Sequence, residues 1–297
     1  MISGQGEDAA IDRTIDIDGV TVPRLIYGTA WKEDATEGLV TQALANGFRG
    51  VDTANQRKHY FEAGVGSALA KAFAGGGLRR ADVFLQTKFT FLRGQDHRLP
   101  YDAEAPASVQ VAQSFEKSLE HLGTDYVDSY VLHGPSTGGR LTPKDWQVWR
   151  AMEAIHAFGR ARLLGVSNFN LDQLRLLCAQ AKVKPRFIQN RCYASRLWDK
   201  PIRDFCRAQD VTYQGFSLLT ANRTLLDHPG FKDMAARHGK TPMQVVFRFA
   251  LQVGMVVLTG TKSAGHMAED QDIFDFTLSD AEVGAIEMAA KPRPAGA

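Results

Sequence analysis

Along this chain a short apolar run, a turn, and a longer stretch with apolar residues three and four apart recur as a unit. The opening differs. Thr14-Ile-Asp-Ile-Asp-Gly-Val-Thr21 alternates apolar with polar around Asp18-Gly19, a dipeptide suited to a tight hairpin because both residues tolerate positive φ. A strand at Leu25 to Gly28 follows. Next comes a helix from Thr36 to Asn46, whose Leu39, Val40, Ala43 and Leu44 share a face and which Gly47 stops. The predicted strands then run from Phe48 to Asp52, Val83 to Lys88, Tyr126 to His133, Arg162 to Val166, Phe187 to Gln189, Val211 to Phe216 and Met255 to Leu258. Helices are expected between them at Glu62 to Ala74, Ser108 to Leu122, Lys144 to Phe158, Leu171 to Gln180 and Ile202 to Ala208. Two more are expected at Phe231 to His238 and Pro242 to Gln252, and a last from Ser279 to Ala290. The tail from Lys291 to Ala297 is expected to be loose.

Strands alternating with helices, and no Gly/Ser linker between halves, predict an α/β chain. The expected form is one domain over residues 1–297, a (β/α)8 barrel of the TIM type with an N-terminal β-hairpin. A doubly wound sheet is the alternative. It is weakened because no Gly-x-Gly-x-x-Gly follows the first strand, and Gly75-Gly76-Gly77 ends a helix instead of opening one. The connection from Phe89 to Pro106 is unusually long and is a candidate substrate wall, with Trp31, Phe89, Phe91, Tyr101 and Trp198 as candidate aromatic linings.

Composition narrows the partners. Charged residues make up 23% and the net charge is +2, so no basic stripe points to nucleic acid. No run approaches the roughly 18 apolar residues of a membrane span, and the first ten residues lack a basic region followed by an apolar core. The expectation is a cytoplasmic protein acting on a small molecule. Cys178, Cys192 and Cys206 are odd in number without Cys-x-x-Cys spacing, which fits packing residues in a reducing compartment and no structural zinc. Oligomeric state is not readable.

Three successive strands end on ionisable residues, Asp52, Lys88 and His133, which puts an acid, a base and an imidazole at the same end of a parallel sheet. In isolation each has a bland reading, as a loop cap, a strand-end lysine facing water and a satisfied core histidine; the conjunction favours a site. Tyr60 completes it. A lysine ammonium near the phenol favours the phenolate and lowers its pKa, a carboxylate holds the lysine, and a neutral histidine directs a substrate carbonyl. No metal is called for, since His133 has no second ligand at metal spacing. Asp128, inside its strand, reads as structural.

On these residues, together with Gly28-Thr29, Val51-Asp-Thr-Ala54, Thr87-Lys88, Val131-Leu-His133, Gly165-Val-Ser-Asn-Phe169, Gln189 and Gly260-Thr-Lys262, the chain resembles the aldo-keto reductases from about Thr14 to Ala290. The resemblance implies NADP(H)-dependent interconversion of a carbonyl compound and an alcohol, with Tyr60 as general acid, Asp52 and Lys88 tuning it, and His133 orienting the carbonyl. It also implies that Ser167, Asn168 and Gln189 hold the nicotinamide carboxamide, that Phe216 stacks under the ring in place of the family's usual tyrosine, and that Ser217 and Leu219 line the pyrophosphate. Gly28, Thr29, Ala30 and Asp52 would border the same cofactor. Lys262, Ser263, His266, Glu269 and Asp270 would form the adenosine-phosphate clamp, with His266 and Asp270 departing from the family's arginine and asparagine. The family places its tyrosine five positions after the aspartate. Here that position is Arg57, and Tyr60 stands at eight. Should Arg57 take the site, a cofactor-bound, catalytically weak sensor is the alternative; a Lys88 Schiff-base lyase or isomerase is a third reading.

Overall fold

The structure is a computed structural model in which residues 11–289 are described; the tail and the last residue of the final predicted helix lie outside them. An antiparallel hairpin of β1 (Thr14–Ile17) and β2 (Val20–Pro23) comes first, with Asp18 and Gly19 at φ 52° and 75° in its turn. Eight parallel strands then close into a barrel. They are β3 (Leu25–Gly28), β4 (Gly50–Asp52), β5 (Phe84–Phe89), β6 (Val127–Leu132), β7 (Ala161–Ser167), β8 (Phe187–Arg191), β9 (Thr212–Phe216) and β10 (Val256–Thr259). Closure is made where β10 pairs with β3, Val257 opposite Leu25, and with β9, Val256 opposite Gln214.

Parallel neighbours need long crossovers, and helices supply them. These are α1 (Thr36–Ala45), α2 (Glu62–Ala74), α3 (Ala107–Leu122), α4 (Pro143–Ala157), α5 (Leu171–Gln180), α6 (Lys200–Gln209), α7 (Arg223–Leu226), α8 (Pro229–Arg237) and α9 (Pro242–Gln252), while α10 (Ala264–Gln271) and α11 (Asp280–Met288) follow the last strand. The predicted barrel, hairpin and strand order are all present. Two helices, α7 and α10, were not legible; both are short, and Gly265 and the charged residues of α10 hide its periodicity.

The hairpin stops one end of the barrel. Ile17, Val20 and Val22 pack against Ile26, Phe84, Leu163, Phe187 and Val256 from the barrel strands, and Arg162 donates to the Gly19 carbonyl. The chemistry is therefore confined to the opposite end. Asp128 is structural as expected: it accepts from Arg80, Arg162 and the Leu85 amide. The three cysteines are buried free thiols.

Gly66 sets how closely α2 lies on α3. A Cβ there would sit 2.0 Å from the His121 carbonyl oxygen, which is backbone and cannot swing aside. Gly66→Ala should therefore force the two helices apart at a cost of about 1–3 kcal/mol, lowering the thermal midpoint by several degrees as followed by circular dichroism. An unchanged midpoint would show that the helices have room to part freely.

Candidate active site

The reactive end of the barrel is built from strand ends. Asp52 ends β4, Lys88 lies one residue before the end of β5, and His133 follows β6 directly. Lys88 is fully buried, and its ammonium donates to both Asp52 oxygens, at 2.6 and 2.7 Å, and to the Thr53 carbonyl at 2.8 Å. All three donors are used. Asp52 Oδ1 also accepts from Gln86 Nε2 at 2.7 Å and Gln189 Nε2 at 3.1 Å, and both amides donate to Gln214 Oε1. A belt of three glutamines across the barrel thus holds the carboxylate.

The Tyr60 ring lies over this pair, 5.1 Å from Lys88 Nζ to its centroid, and meets the His133 ring edge-on at 5.8 Å. A turn places it there. Both His59 N and Tyr60 N donate to the Gln56 carbonyl, so the residues between them loop outward and Tyr60 enters the cleft. Arg57 does not line that cleft; it faces a separate cavity and stacks on Phe61. Of the two, Tyr60 and not Arg57 lines the cleft.

Electrostatics correct one expectation. Burial, and then the Asp52 charge, push the Tyr60 phenol above its ordinary value, so it is protonated at neutral pH. The lysine does not pull it down, because Asp52 neutralises that lysine at contact distance. Burial pulls Lys88 itself below the usual lysine range, with Asp52 opposing. His133 is pushed well below the ordinary imidazole value, first by burial and then by Lys88 and His59, and is neutral at physiological pH. Its Nδ1 lies 2.7 Å from Thr90 Oγ1, which leaves Nε2 as the ring nitrogen without a protein partner.

From Tyr60 and His133 the cleft runs to the α10 segment, with a volume of about 490 Å3. Gly28, Ala30, Asp52, Ser167, Asn168, Gln189, Phe216, Ser217, Leu219, His266, Glu269 and Asp270 line it. Asn168 and Ser217, directly after β7 and β9, hold positive φ of 56° each, a strained conformation that aims loop residues at the mouth. Ser167 Oγ donates to the Gln189 carbonyl and Asn168 Nδ2 to the His133 carbonyl, while the Asn168 side-chain oxygen has no donor among the described residues. At the far end Thr259 Oγ1 donates to Asp270, whose carboxyl burial pushes up to about 6.

Three anticipated residues do not line the cleft. Thr29 is turned into the barrel wall, where its hydroxyl and amide both donate to the Asp52 carbonyl. Lys262 and Ser263 are exposed at the rim, Ser263 capping α10 by accepting from the His266 amide. The aromatic linings proposed from sequence also fall elsewhere. Phe89, Phe91, Tyr101 and Trp198 are buried in the core, because the Tyr101 hydroxyl finds the Thr90 carbonyl and the Trp198 indole the Ile286 carbonyl. Trp31 is exposed and stacks on His59.

Lys32, like Gln86 and Gln214 of the belt, is a residue that sequence reasoning missed. It is buried, donates to the Gly260 carbonyl at 2.7 Å and is drawn down to about 8, first by burial and then by Lys262. Two cations therefore flank the strand end of β10. Among the described residues no three His, Cys, Asp or Glu side chains gather where they could hold a metal ion.

The sequence profile of the aldo/keto reductase family matches residues 24–291. Glyoxal reductase of Bacillus subtilis (strain 168) is 33% identical over 94% of this chain and 92% of its own length. Aldo-keto reductase family 1 member C15 of Rattus norvegicus is 31% identical over 91% and 88%. The solved aldo/keto reductase from Brucella melitensis superposes with a TM-score of 0.78 at 30% identity, covering 94% of this chain and 99% of that one. With the family profile matching residues 24–291 and relatives above 30% identity aligned over most of their length, the chain belongs to the aldo/keto reductase family, whose members are oxidoreductases acting on carbonyl compounds.

Proposed function

We propose that the protein is an NADPH-dependent reductase of an aldehyde or ketone, working reversibly on a small cytoplasmic substrate. One observation carries this: a protonated phenol and a neutral imidazole converge on one cleft above a buried, glutamine-held Asp52–Lys88 pair. NADPH, when bound, supplies the hydride. Its fit is supported by the cleft's lining, where Ser167, Asn168 with its unpartnered oxygen and Gln189 suit a carboxamide and Phe216 suits a flat ring, and by Lys32 and Lys262 beside the end of β10, outside that lining, whose cations suit phosphates. Tyr60 holds the proton that the developing alkoxide takes, and His133 Nε2 fixes the direction of the carbonyl. Lys88 stays protonated against Asp52 with all its donors engaged, which disfavours attack on a carbonyl as a free amine.

The direct test is a fluorescence titration with NADPH and NADH, followed by oxidation assays on a panel of carbonyl compounds. NADPH should bind more tightly by about 1–3 kcal/mol, the range of charge-assisted hydrogen bonds, and Lys262→Glu should shrink or reverse that preference. Equal affinity in the unmodified protein would remove Lys262 from the phosphate clamp.

Acidity gives a second check at the same end of the cleft. The free protein's Lys32 loses its proton as pH rises through about 8, whereas a phosphate beside it favours the ammonium. NADPH affinity should therefore weaken from pH 7 to 9. Lys32→Met should weaken binding at pH 7 and flatten the profile; an unaltered profile would show that Lys32 meets no phosphate.

A further inference from the structure

The two groups proposed to meet a substrate carbonyl come from different connections, Tyr60 from the one that follows β4 and His133 from the one that follows β6. The strand between them, β5, supplies the joint. Thr90, directly after β5, is buried, and the one partner of its hydroxyl among the described residues is His133 Nδ1, at 2.7 Å. That contact admits two protonation patterns. If Nδ1 carried the ring proton, the hydroxyl would accept it and leave its own hydrogen buried without an acceptor; if the hydroxyl donates, every hydrogen is used and only a lone pair is spare. The second pattern costs less. A neutral ring has a single N–H, so this pattern puts it on Nε2, the nitrogen without a protein partner on a ring that lines the cleft.

Thr90 is itself held from the other side. The buried Gln95 side chain donates both hydrogens of its amide, one to the Asn55 carbonyl at 2.9 Å and one to the Thr90 carbonyl at 3.3 Å. Asn55 opens the turn that presents Tyr60, and its neighbour Gln56 donates from its side chain to the Gly94 carbonyl. One amide thus ties the acid's turn to the residue that holds the imidazole. Packing alone does not call for it, because the Gln95 oxygen is buried with no partner among the described residues, a cost that an apolar side chain of similar length would not carry. The joint is also tight: a Cβ at Gly94 would stand 2.7 Å from Thr90 Cγ2.

We infer that Thr90 and Gln95 are positioning residues, Thr90 holding His133 with its N–H on Nε2 and Gln95 fixing the separation between that ring and the Tyr60 phenol. The consequence for turnover rests on the proposed carbonyl reduction, whereas the geometry belongs to the resting protein. Phenol O–H and imidazole Nε2–H must meet one carbonyl oxygen, and a misplacement of about 1 Å costs roughly 100-fold in rate.

Nitrogen-15 NMR of the imidazoles, with His133 assigned by its loss in His133→Gln, tests the geometry without turnover. At pH 7 Nε2 should carry the proton and Nδ1 should resonate as a hydrogen-bond acceptor. Thr90→Val should move Nδ1 toward the position of an unbonded nitrogen, Thr90→Ser should restore it, and Gln95→Met should move it part of the way. A proton on Nδ1, or an Nδ1 unmoved by Thr90→Val, overturns the inference whatever the rates. In assays, Thr90→Val and Gln95→Met should each lower kcat and kcat/KM for aldehyde reduction together by about 10-fold, with NADPH affinity nearly unchanged, and Thr90→Ser should recover most of the loss. The double variant should lose less than the product of the two, because Gln95 acts in part through Thr90. Additive losses, or a Gln95→Met variant that lowers the thermal midpoint while keeping kcat, overturn it as well. The expected nitrogen pattern in a protein that reduces no carbonyl compound upholds the positioning, and the reductase reading alone falls.

Discussion

Replacing Tyr60 by phenylalanine should lower carbonyl reduction by about 100-fold or more while leaving NADPH binding nearly intact, because a positioned proton donor is lost and no dinucleotide contact is. The ring and its packing on Lys88 and His133 are kept, so the change isolates the hydroxyl. The wild-type pH profile should carry the same signature. Burial and Asp52 raise the phenol's pKa, so reduction, which needs the protonated form, should stay level from neutral pH to the alkaline edge, whereas alcohol oxidation, which needs the phenolate, should rise with pH over the same interval. Stopped-flow reduction with a saturating aldehyde, beside a fluorescence titration of NADPH, separates the two effects. Near-normal reduction by Tyr60→Phe would mean that another group, or water, delivers the proton.

The barrel was readable because each strand is a short apolar run and each helix carries its own periodicity, so local pattern and final element coincide. Asp52, Lys88 and His133 were readable for a related reason: an ionisable residue ending an apolar strand stands out. Gln86 and Gln214 did not stand out. Yet Gln86 lies two residues before Lys88, and Gln214 two before Phe216, so strand alternation turns each to the same face as a residue already singled out, and that parity was the usable signal. Lys32 gave no such signal. It opens a polar Lys-Glu-Asp stretch, and its burial arises at the end of β10, more than two hundred residues away, where the Gly260 carbonyl accepts from its ammonium. The aromatic residues of the long loop misled for the opposite reason: Phe89, Phe91 and Tyr101 pack on one another and on the core, and it is the loop's Arg98, Leu99 and Pro100 that face a cavity.

Lys88→Met should cost more stability than any other single change considered. Lys88 is fully buried and Asp52 nearly so, and removing one partner leaves the other charge in the barrel interior, a loss of about 3–5 kcal/mol. The glutamines soften this, since Gln86 and Gln189 still donate to Asp52 Oδ1, but two amides do not neutralise a carboxylate. Acid should restore part of the loss. In the variant the buried, unpaired Asp52 has a folded-state pKa above its unfolded value, so the penalty is complete above that folded pKa and is relieved as pH falls through it. Adding Asp52→Asn should recover stability relative to Lys88→Met alone, because the unpaired charge is then gone, and the double variant should lose the acid-induced gain. Turnover should not recover with it, since neither change restores the Asp52–Lys88 pair packed beneath the Tyr60 ring, and the alkaline rise of alcohol oxidation should move to higher pH only in Lys88→Met, where the Asp52 charge that raises the phenol is left unopposed. Denaturant unfolding of the three variants between pH 5 and 8 reads the first part; a Lys88→Met variant whose stability is independent of pH, and no lower than that of the double variant, would show that the pair is not coupled in the way its geometry requires.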